Sequence, residues 1–382
     1  MRRFSFLMIV WLAIFGLFPS TLRAEILAAL NYETKPEQTI RREGIAIIDV
    51  DPESQNFGKI LVDIPLPPNL VAHHLSYNKN ATKAYITALE KSVLHVMDMT
   101  RFPYRMKAVD IPECKVLEDV ILSEDNKTWY LTCMGSQNVI VGDATTDQPI
   151  KAIALPKPYP HGISLHPGID RLIVTSTIRP DGKDPGETVT VLQASTGEIL
   201  STHKVSNKAS PSGEAPVEVL FMPKSEPAMV YITNMGGGTL WMGVWDSAKK
   251  DFNFHQAFDF ASVGSGVPLE MYFNNKKDRF YVTTAMPGHF HIFDISQDPK
   301  QPKLLKSIPT AGGAHHVAFT PDERYAFVQN SFINLPGMSD GSVTVIDLAK
   351  GEVIKSMDTL KHQGLNPNSI VLLPEWNHDA DH

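Results

Sequence analysis

Histidines able to bind a metal ion recur in this sequence just ahead of short apolar strands. Two pairs, His73-His74 and His315-His316, lie far apart in the chain, yet each directly precedes an apolar, any, apolar triplet. A further histidine, His161, lies two places before its own triplet. Imidazoles that converge without cysteine suit copper, zinc, iron or nickel. The sequence therefore predicts a metal site, provided that the fold brings these histidines together.

The triplets open a unit that occurs seven times, at intervals of roughly 40 to 60 residues. A polar turn and a second strand follow most triplets, and several units add a third strand that ends near aspartate. Short strands separated by turn signals are typical of an all-β protein. The triplets are residues 75–77, 120–122, 163–165, 219–221, 271–273, 317–319 and 370–372.

The two ends of the chain complement each other. No second strand follows the last triplet, whereas residues 26–32, 44–50 and 59–64 form a strand set with no inner strand before it. If these N-terminal strands pair with the C-terminal inner strand, they complete one blade and close the ring, which removes both sheet edges. The sequence therefore predicts a seven-bladed β-propeller. Two stacked β-sandwiches would explain neither the single period nor the complementary ends.

The repeat also predicts where the polar residues lie. Positions at equal offsets from the triplets should have equal heights around the central channel, so five histidines and several carboxylates should gather at one mouth. Since successive strand residues point to opposite faces, we expect one histidine of each pair to face the channel and the other to pack toward a neighbouring blade or loop. The metal ligand candidates are His73, His74, His161, His315, His316 and Glu118; the catalytic candidates, which would orient ligands or move protons, are Glu218 and Glu270.

The polar residues at the channel mouth also have an explanation that involves no metal. A hydrated polar channel mouth would explain the same residues without an ion. Long loops over residues 34–42, 178–186 and 332–341 are expected to roof the site and shape a substrate pocket. The sequence contains no Gly-x-Ser-x-Gly nucleophile elbow, no phosphate-binding P-loop and no Cys-x-x-Cys-His haem motif.

Composition bears on the location of the protein. Residues 1–24 combine Arg2-Arg3, an apolar run and a small residue before Glu25, which is the pattern of a secretory signal peptide. Cleavage there would release residues 25–382, expected to be one propeller domain, to the periplasm or the exterior. No later stretch could span a membrane. The formal net charge of −7 argues against a nucleic acid partner.

The sequence has two cysteines, Cys114 and Cys133. Their positions relative to the second triplet place both at one face of the same blade. In a chain bound for an oxidising compartment, a disulfide is favoured over a metal or redox role.

Two groups of known proteins resemble this chain. Residues 231–234 (Tyr-Ile-Thr-Asn) and 281–284 (Tyr-Val-Thr-Thr) resemble the YVTN-repeat propellers over nearly the whole predicted mature chain. Residues 66–78, 215–221, 266–271 and 293–303 are more specifically similar to the selenium-binding protein and methanethiol oxidase family. The pair His73-His74 matches that family's paired histidines, and the segment around His161 matches its second histidine motif loosely. The family's cysteine pair after the paired histidine and its C-terminal Gly-Gly-Asp-Cys segment are absent.

The second resemblance implies a periplasmic copper-dependent oxidase that converts methanethiol with dioxygen to formaldehyde, sulfide and peroxide. Here His315-His316 would replace the ligand that the chain lacks. Two alternatives stay open: a non-catalytic propeller that binds a metal or a protein partner across its mouth, and a zinc-dependent, lactonase-like hydrolase.

Overall fold

The protein is a ring of seven four-stranded antiparallel sheets, seen in a computed structural model that describes residues 26–373. The expected signal peptide, residues 1–24, lies outside the described residues. The strands are β1 (Leu27–Thr34), β2 (Glu43–Asp49), β3 (Ile60–Leu66), β4 (Ala72–Tyr77), β5 (Lys83–Ala88), β6 (Val93–Asp98), β7 (Arg105–Asp110), β8 (Leu117–Leu122), β9 (Thr128–Cys133), β10 (Asn138–Asp143), β11 (Gln148–Ala154), β12 (Pro160–His166), β13 (Arg171–Ile178), β14 (Pro185–Gln193), β15 (Ile199–Lys204), β16 (Pro216–Phe221), β17 (Met229–Asn234), β18 (Thr239–Asp246), β19 (Asp251–Asp259), β20 (Gly266–Phe273), β21 (Arg279–Met286), β22 (Gly288–Asp294), β23 (Lys303–Pro309), β24 (Ala314–Phe319), β25 (Tyr325–Asn330), β26 (Val343–Asp347), β27 (Glu352–Met357) and β28 (Leu365–Leu372).

Helical structure in the described residues is limited to single turns. These are two 3₁₀ turns, Pro167–Ile169 and Phe260–Val263, and one short α-helix, α1 (Thr359–His362). No helix in this part of the chain is long and apolar enough to cross a bilayer.

The prediction of a seven-bladed β-propeller is confirmed. Blades 1 to 6 each use four consecutive strands, starting with the inner strands β4, β8, β12, β16, β20 and β24. Blade 7 has the order β28-β1-β2-β3, so its inner strand comes from the C-terminal end and the other three come from the N-terminal end. Leu30 of β1 faces Ile370 of β28 in antiparallel register. The ring is closed in the way that the complementary ends predicted.

The apolar core lies between neighbouring blades. The apolar residues of the triplets pack against the strands of adjacent blades; Phe273 of blade 5, for example, contacts Tyr231 of blade 4 with 6.0 Å between ring centroids. The hydrophobic effect thus holds sheet against sheet around the ring. The inner strands therefore have fixed positions around the axis.

Blade 2 carries the only two cysteines of the sequence, which are fully buried. Cys114, just before β8, is joined to Cys133 at the end of β9 by a disulfide, with 5.1 Å between Cα atoms. This bond fixes the start of the inner strand that carries Glu118.

Candidate metal centre

A β-bulge interrupts every inner strand at the two positions before the triplet. In blade 1, Ala72 pairs with Ala88 and Leu75 pairs with Ile86, so two residues of β4 oppose one residue of β5. The other blades shift register at the equivalent place. A bulge breaks the strict alternation of side chains along a strand. The candidate ligands therefore sit at equivalent irregular points of the ring.

The bulge makes the expected alternation of the histidine pairs wrong. Both His73 and His74 belong to one buried group of possible metal ligands, and both His315 and His316 belong to another. The ring centroids are 4.4 Å apart in the first pair and 4.0 Å apart in the second. Neither pair sends one imidazole away from the cluster.

The residue opposite each bulge ties the strand to its neighbours. In blade 2, the hydroxyl of Thr132 accepts a hydrogen bond from the Asp119 N–H at 3.0 Å and donates one to the His161 carbonyl of blade 3 at 2.6 Å. Thr175 and Thr233 donate to the next blade in the same way. In blade 7, the Asn31 amide donates to the His73 carbonyl at 2.7 Å. These bonds set the height of adjacent inner strands at the level of the site.

The first group of possible ligands comes from blades 1, 2 and 3. It comprises His73, His74, Glu118 and His161, all buried, with one ligand atom from each lying within 4.8 Å of the others. Glu118 is central: its Oε2 is 3.4 Å from the Nε2 of His73 and 3.4 Å from the Nε2 of His161. Three imidazoles and one carboxylate form a donor set that zinc, copper or iron accepts.

The second group comes from blades 5 and 6. Glu270 Oε1 lies 3.4 Å from His315 Nε2 and 3.6 Å from His316 Nδ1, and all three residues are buried. The two groups are neighbours. Their ring centroids are 4.9 Å apart between His74 and His316 and 5.8 Å apart between His73 and His315. The propeller thus brings all five candidate histidines together.

Two further buried carboxylates border the groups. Glu218 Oε1 of blade 4 lies 3.1 Å from His161 Nδ1, and Asp119 Oδ1 of blade 2 lies 3.8 Å from His74 Nδ1. Glu218, a catalytic candidate, therefore contacts the first group. Glu270, the other catalytic candidate, belongs to the second group and is itself a possible metal ligand.

Several donor atoms of the cluster lack a hydrogen bond. Neither ring nitrogen of His73 has a hydrogen-bond partner in the described structure, and the same holds for Glu118 Oε2 and His315 Nδ1. Buried polar atoms of this kind cost free energy unless a partner satisfies them. A metal ion would be such a partner, and the donor set fits one.

Burial controls the protonation of these groups. Burial, and after it the charge of His315, holds the pKa of His73 well below its usual range, so this imidazole is neutral and keeps a lone pair for a metal. Burial raises the pKa of Glu118 to about 7. Burial, and after it the charge of Glu270, raises the pKa of Glu218 well above its usual range. A cation bound among these carboxylates would reverse both upward shifts.

An apolar roof covers the site on the side where the inner strands begin. Phe332 packs edge-on against His315 with 5.1 Å between ring centroids, and it is buried with Val217, Leu269 and Ala285. Val217 and Leu269 occupy the ring positions that carry histidine or a polar residue in the other blades. The loop that begins at Phe332 therefore closes this mouth, as expected for a roof.

Within residues 26–373, the site is approached from the opposite end of the channel. A cavity of about 710 Å³ extends from exposed residues such as Glu124 and Lys224 to the buried carboxylates Asp119, Glu218 and Glu270. Its middle is lined largely by apolar triplet residues, among them Ile121, Ile163, Val219 and Phe221. The loops at the roof therefore do not form this pocket, which differs from the expectation drawn from their length.

The sequence analysis did not predict two kinds of residue that support the site, namely the threonines opposite the bulges and Tyr272. The threonines opposite the bulges were visible only as part of a β-rich strand motif. Tyr272, the middle residue of its triplet, is buried, and its hydroxyl accepts a hydrogen bond from the Val317 N–H at 2.8 Å. Burial, and after it the charge of Glu270, raises the pKa of Tyr272. A tyrosine that bridges two inner strands has no signal in the residue pattern.

No protein-family model and no curated protein matches the sequence. Solved structures with the same fold do match. A hypothetical selenium-binding protein from Sulfolobus tokodaii aligns with a TM-score of 0.75 at 12% identity, over 93% of this chain and 95% of that one. The periplasmic gluconolactonase of Pseudomonas aeruginosa aligns with a TM-score of 0.67 at 12% identity, over 92% and 99%. Hydrazine synthase from Kuenenia stuttgartiensis aligns with a TM-score of 0.59 at 14% identity, over 83% and 96%. At these identities the likeness shows the fold alone.

Proposed function

We propose that the protein is an exported, copper-dependent oxidase of a small thiol, with its site in the buried histidine cluster. The observation that carries the proposal is the convergence of five buried imidazoles with Glu118 and Glu270. Within residues 26–373, neither ring nitrogen of His73 has a hydrogen-bond partner. Imidazole-rich sites without cysteine suit copper. Bound copper would supply the one-electron chemistry that dioxygen needs.

A thiol is proposed as the substrate because four segments resemble the methanethiol oxidase family: residues 66–78, 215–221, 266–271 and 293–303. The reaction balances as methanethiol, dioxygen and water giving formaldehyde, hydrogen sulfide and hydrogen peroxide. The channel is consistent with such a substrate, because its middle is apolar and its inner end is acidic. A small, uncharged thiol can pass apolar walls without losing hydrogen bonds to water.

The protein's own residues have separate roles in this proposal. His73, His74, His161, His315 and His316, with Glu118, form the ligand pool. Glu218 faces both the cavity and His161, so it is positioned to take the thiol proton. The apolar roof at Phe332 excludes water from the far side.

Two observations support the proposed location. A disulfide joins Cys114 to Cys133, and such bonds persist in oxidising compartments. Residues 1–24 have the sequence pattern of a secretory signal. The proposed location is therefore the periplasm or the outside of the cell.

The test is metal analysis of protein purified from a periplasmic fraction and reloaded with copper, followed by oxygen uptake with methanethiol. We expect stoichiometric copper and thiol-dependent uptake in the wild type. Both should be lost in a His73→Ala, His315→Ala double variant and kept in His362→Ala, which removes an exposed histidine. Failure of the wild type to retain metal would refute the proposal.

Other outcomes of the same test identify the alternatives. Copper binding without oxygen uptake would favour a non-catalytic propeller that binds metal or a protein partner. A preference for zinc together with ester hydrolysis would favour a lactonase-like hydrolase. That alternative has one structural argument: Glu218 beside His161 is a suitable general base for water.

A further inference from the structure

The cluster contains more donors than one metal ion can use. Zinc and copper sites in proteins usually have four or five ligands. Here five imidazoles and two carboxylates fall into two groups that share no residue. The first is His73, His74, Glu118 and His161, and the second is Glu270, His315 and His316.

Each group contains its own carboxylate next to its own imidazoles. Glu118 lies 3.4 Å from two imidazoles of the first group, and Glu270 lies within 3.6 Å of both imidazoles of the second. The first group is built on blades 1 to 3 and the second on blades 5 and 6. Each group therefore has its own carboxylate on its own inner strands.

The groups are also close enough to act together. His74 and His316 have ring centroids 4.9 Å apart, and the edge-on rings meet at the boundary between the groups. Glu218 of blade 4 contacts His161 of the first group at 3.1 Å, and its charge interacts with that of Glu270 in the second. Glu218 thus stands between the two sets of ligands.

We propose that this protein binds two metal ions side by side, one at His73, His74, Glu118 and His161 and the other at Glu270, His315 and His316, with Glu218 between them. The proposal rests on the metal binding of the proposed function but is independent of its substrate. Paired metal ions a few ångströms apart are a recurring arrangement in enzymes.

The experiment is a metal count on the full chain after dialysis against copper(II) or zinc(II) and removal of loosely bound metal, by plasma mass spectrometry. We expect two ions per wild-type chain. Glu118→Gln and Glu270→Gln keep the side-chain shape and should each reduce the count to one, because each weakens a single group. His362→Ala should retain two. Circular dichroism confirms that each variant is folded.

A second readout tests whether the two sites are neighbours. In the copper(II) protein, two coupled ions should give an integrated electron paramagnetic resonance signal well below two spins per chain. Each single-site variant should give close to one uncoupled spin. If Glu118 or Glu270 only stabilised the fold, replacing it would not turn a coupled pair of copper spins into one uncoupled spin.

The outcomes separate this inference from the proposed function. A wild-type count of one ion overturns the two-ion site, and if thiol oxidation persists the proposed function stands. Two ions with fully uncoupled spins overturn the side-by-side arrangement. No retained ion overturns both proposals.

Discussion

Replacing Thr132 with valine tests whether the residue opposite the bulge holds the site together. Thr132 is fully buried, and its hydroxyl links two blades. It accepts from the Asp119 N–H of its own blade and donates to the His161 carbonyl of the next. Valine has nearly the same shape and an equally high strand preference, so the change removes these two hydrogen bonds, a longer one from the hydroxyl to the Asp119 carbonyl at 3.3 Å, and little else.

The expected cost follows from these two bonds. The Asp119 N–H would lose this side-chain acceptor, and a buried unsatisfied group costs about 1–3 kcal/mol. The lost bond to the His161 carbonyl adds a net contribution of about 1 kcal/mol. The free energy of unfolding of Thr132→Val should therefore fall by about 2–4 kcal/mol.

Urea unfolding of the metal-free protein, followed by tryptophan fluorescence, measures this change as a shift in midpoint at unchanged slope. Thr132→Ser keeps the hydroxyl and should lose less than half as much. Thr202→Val changes an exposed threonine of the outermost strand β15 and should stay within about 0.5 kcal/mol of the wild type. If Thr132→Val is as stable as the wild type, or if the serine variant is the less stable of the two, the hydrogen bonds do not hold the blades.

Three further predictions concern the disulfide, a buried histidine and the roof. The disulfide between Cys114 and Cys133 closes a loop with a sequence separation of 19, and its reduction should lower the free energy of unfolding by about 3 kcal/mol. Urea unfolding with and without reductant measures this change, and an unchanged midpoint would contradict the prediction. Burial, and after it the charge of His289, lowers the pKa of His291 to about 3. Below pH 6.5 this histidine therefore takes up a proton in the unfolded chain but not in the folded protein, so the free energy of unfolding falls as the pH decreases. Between pH 7 and pH 5 the wild type should lose about 2 kcal/mol more than His291→Gln, as measured by urea unfolding at each pH, and parallel pH profiles would refute this assignment. Phe332→Ala should lower the free energy of unfolding by about 3–5 kcal/mol. Because the ring covers the cluster, the same change should speed the loss of bound metal to a chelator. Equal release rates in the variant and the wild type would show that the roof does not retain the ion.

The ring was predictable because its signals are local and repeated. A triplet such as residues 317–319 carries an apolar strand pattern that any core-facing strand must have. The unmatched strands at the two ends could be joined only by closing a ring. Equal offsets from the triplets then placed His73 and His315 at one height, although they are far apart in sequence.

The details of the site were not predictable because they depend on a departure from regular structure. Alternation predicted that His73 and His74 would point apart, but the bulge opposite Thr87 directs both into the cluster. A bulge is set by hydrogen bonding between strands, and here the hydroxyl of Thr87 accepts from the His74 N–H at 3.0 Å. The residue types of the inner strand alone do not encode it.

The direction of access was missed for a different reason. Loop length suggested a pocket under residues 332–341, but loop length says nothing about what the loop buries. The side chain of Phe332 fills the space next to His315, and among the described residues the cavity reaches the site from the other face.

Closure of the ring by strands from opposite ends also sets the order of events during synthesis. Strand β1 leaves the ribosome early, yet its partner β28 is made more than 300 residues later, which makes ring closure a contact of very long sequence separation. A side-chain hydrogen bond that fixes the backbone of blade 1, from the Asn368 amide of β28 to the Ala72 carbonyl, likewise depends on this late strand. An unfinished chain therefore carries all five histidines without holding them at a common height. The cluster comes into being only after β28 has been made, so translation itself delays the assembly of the site.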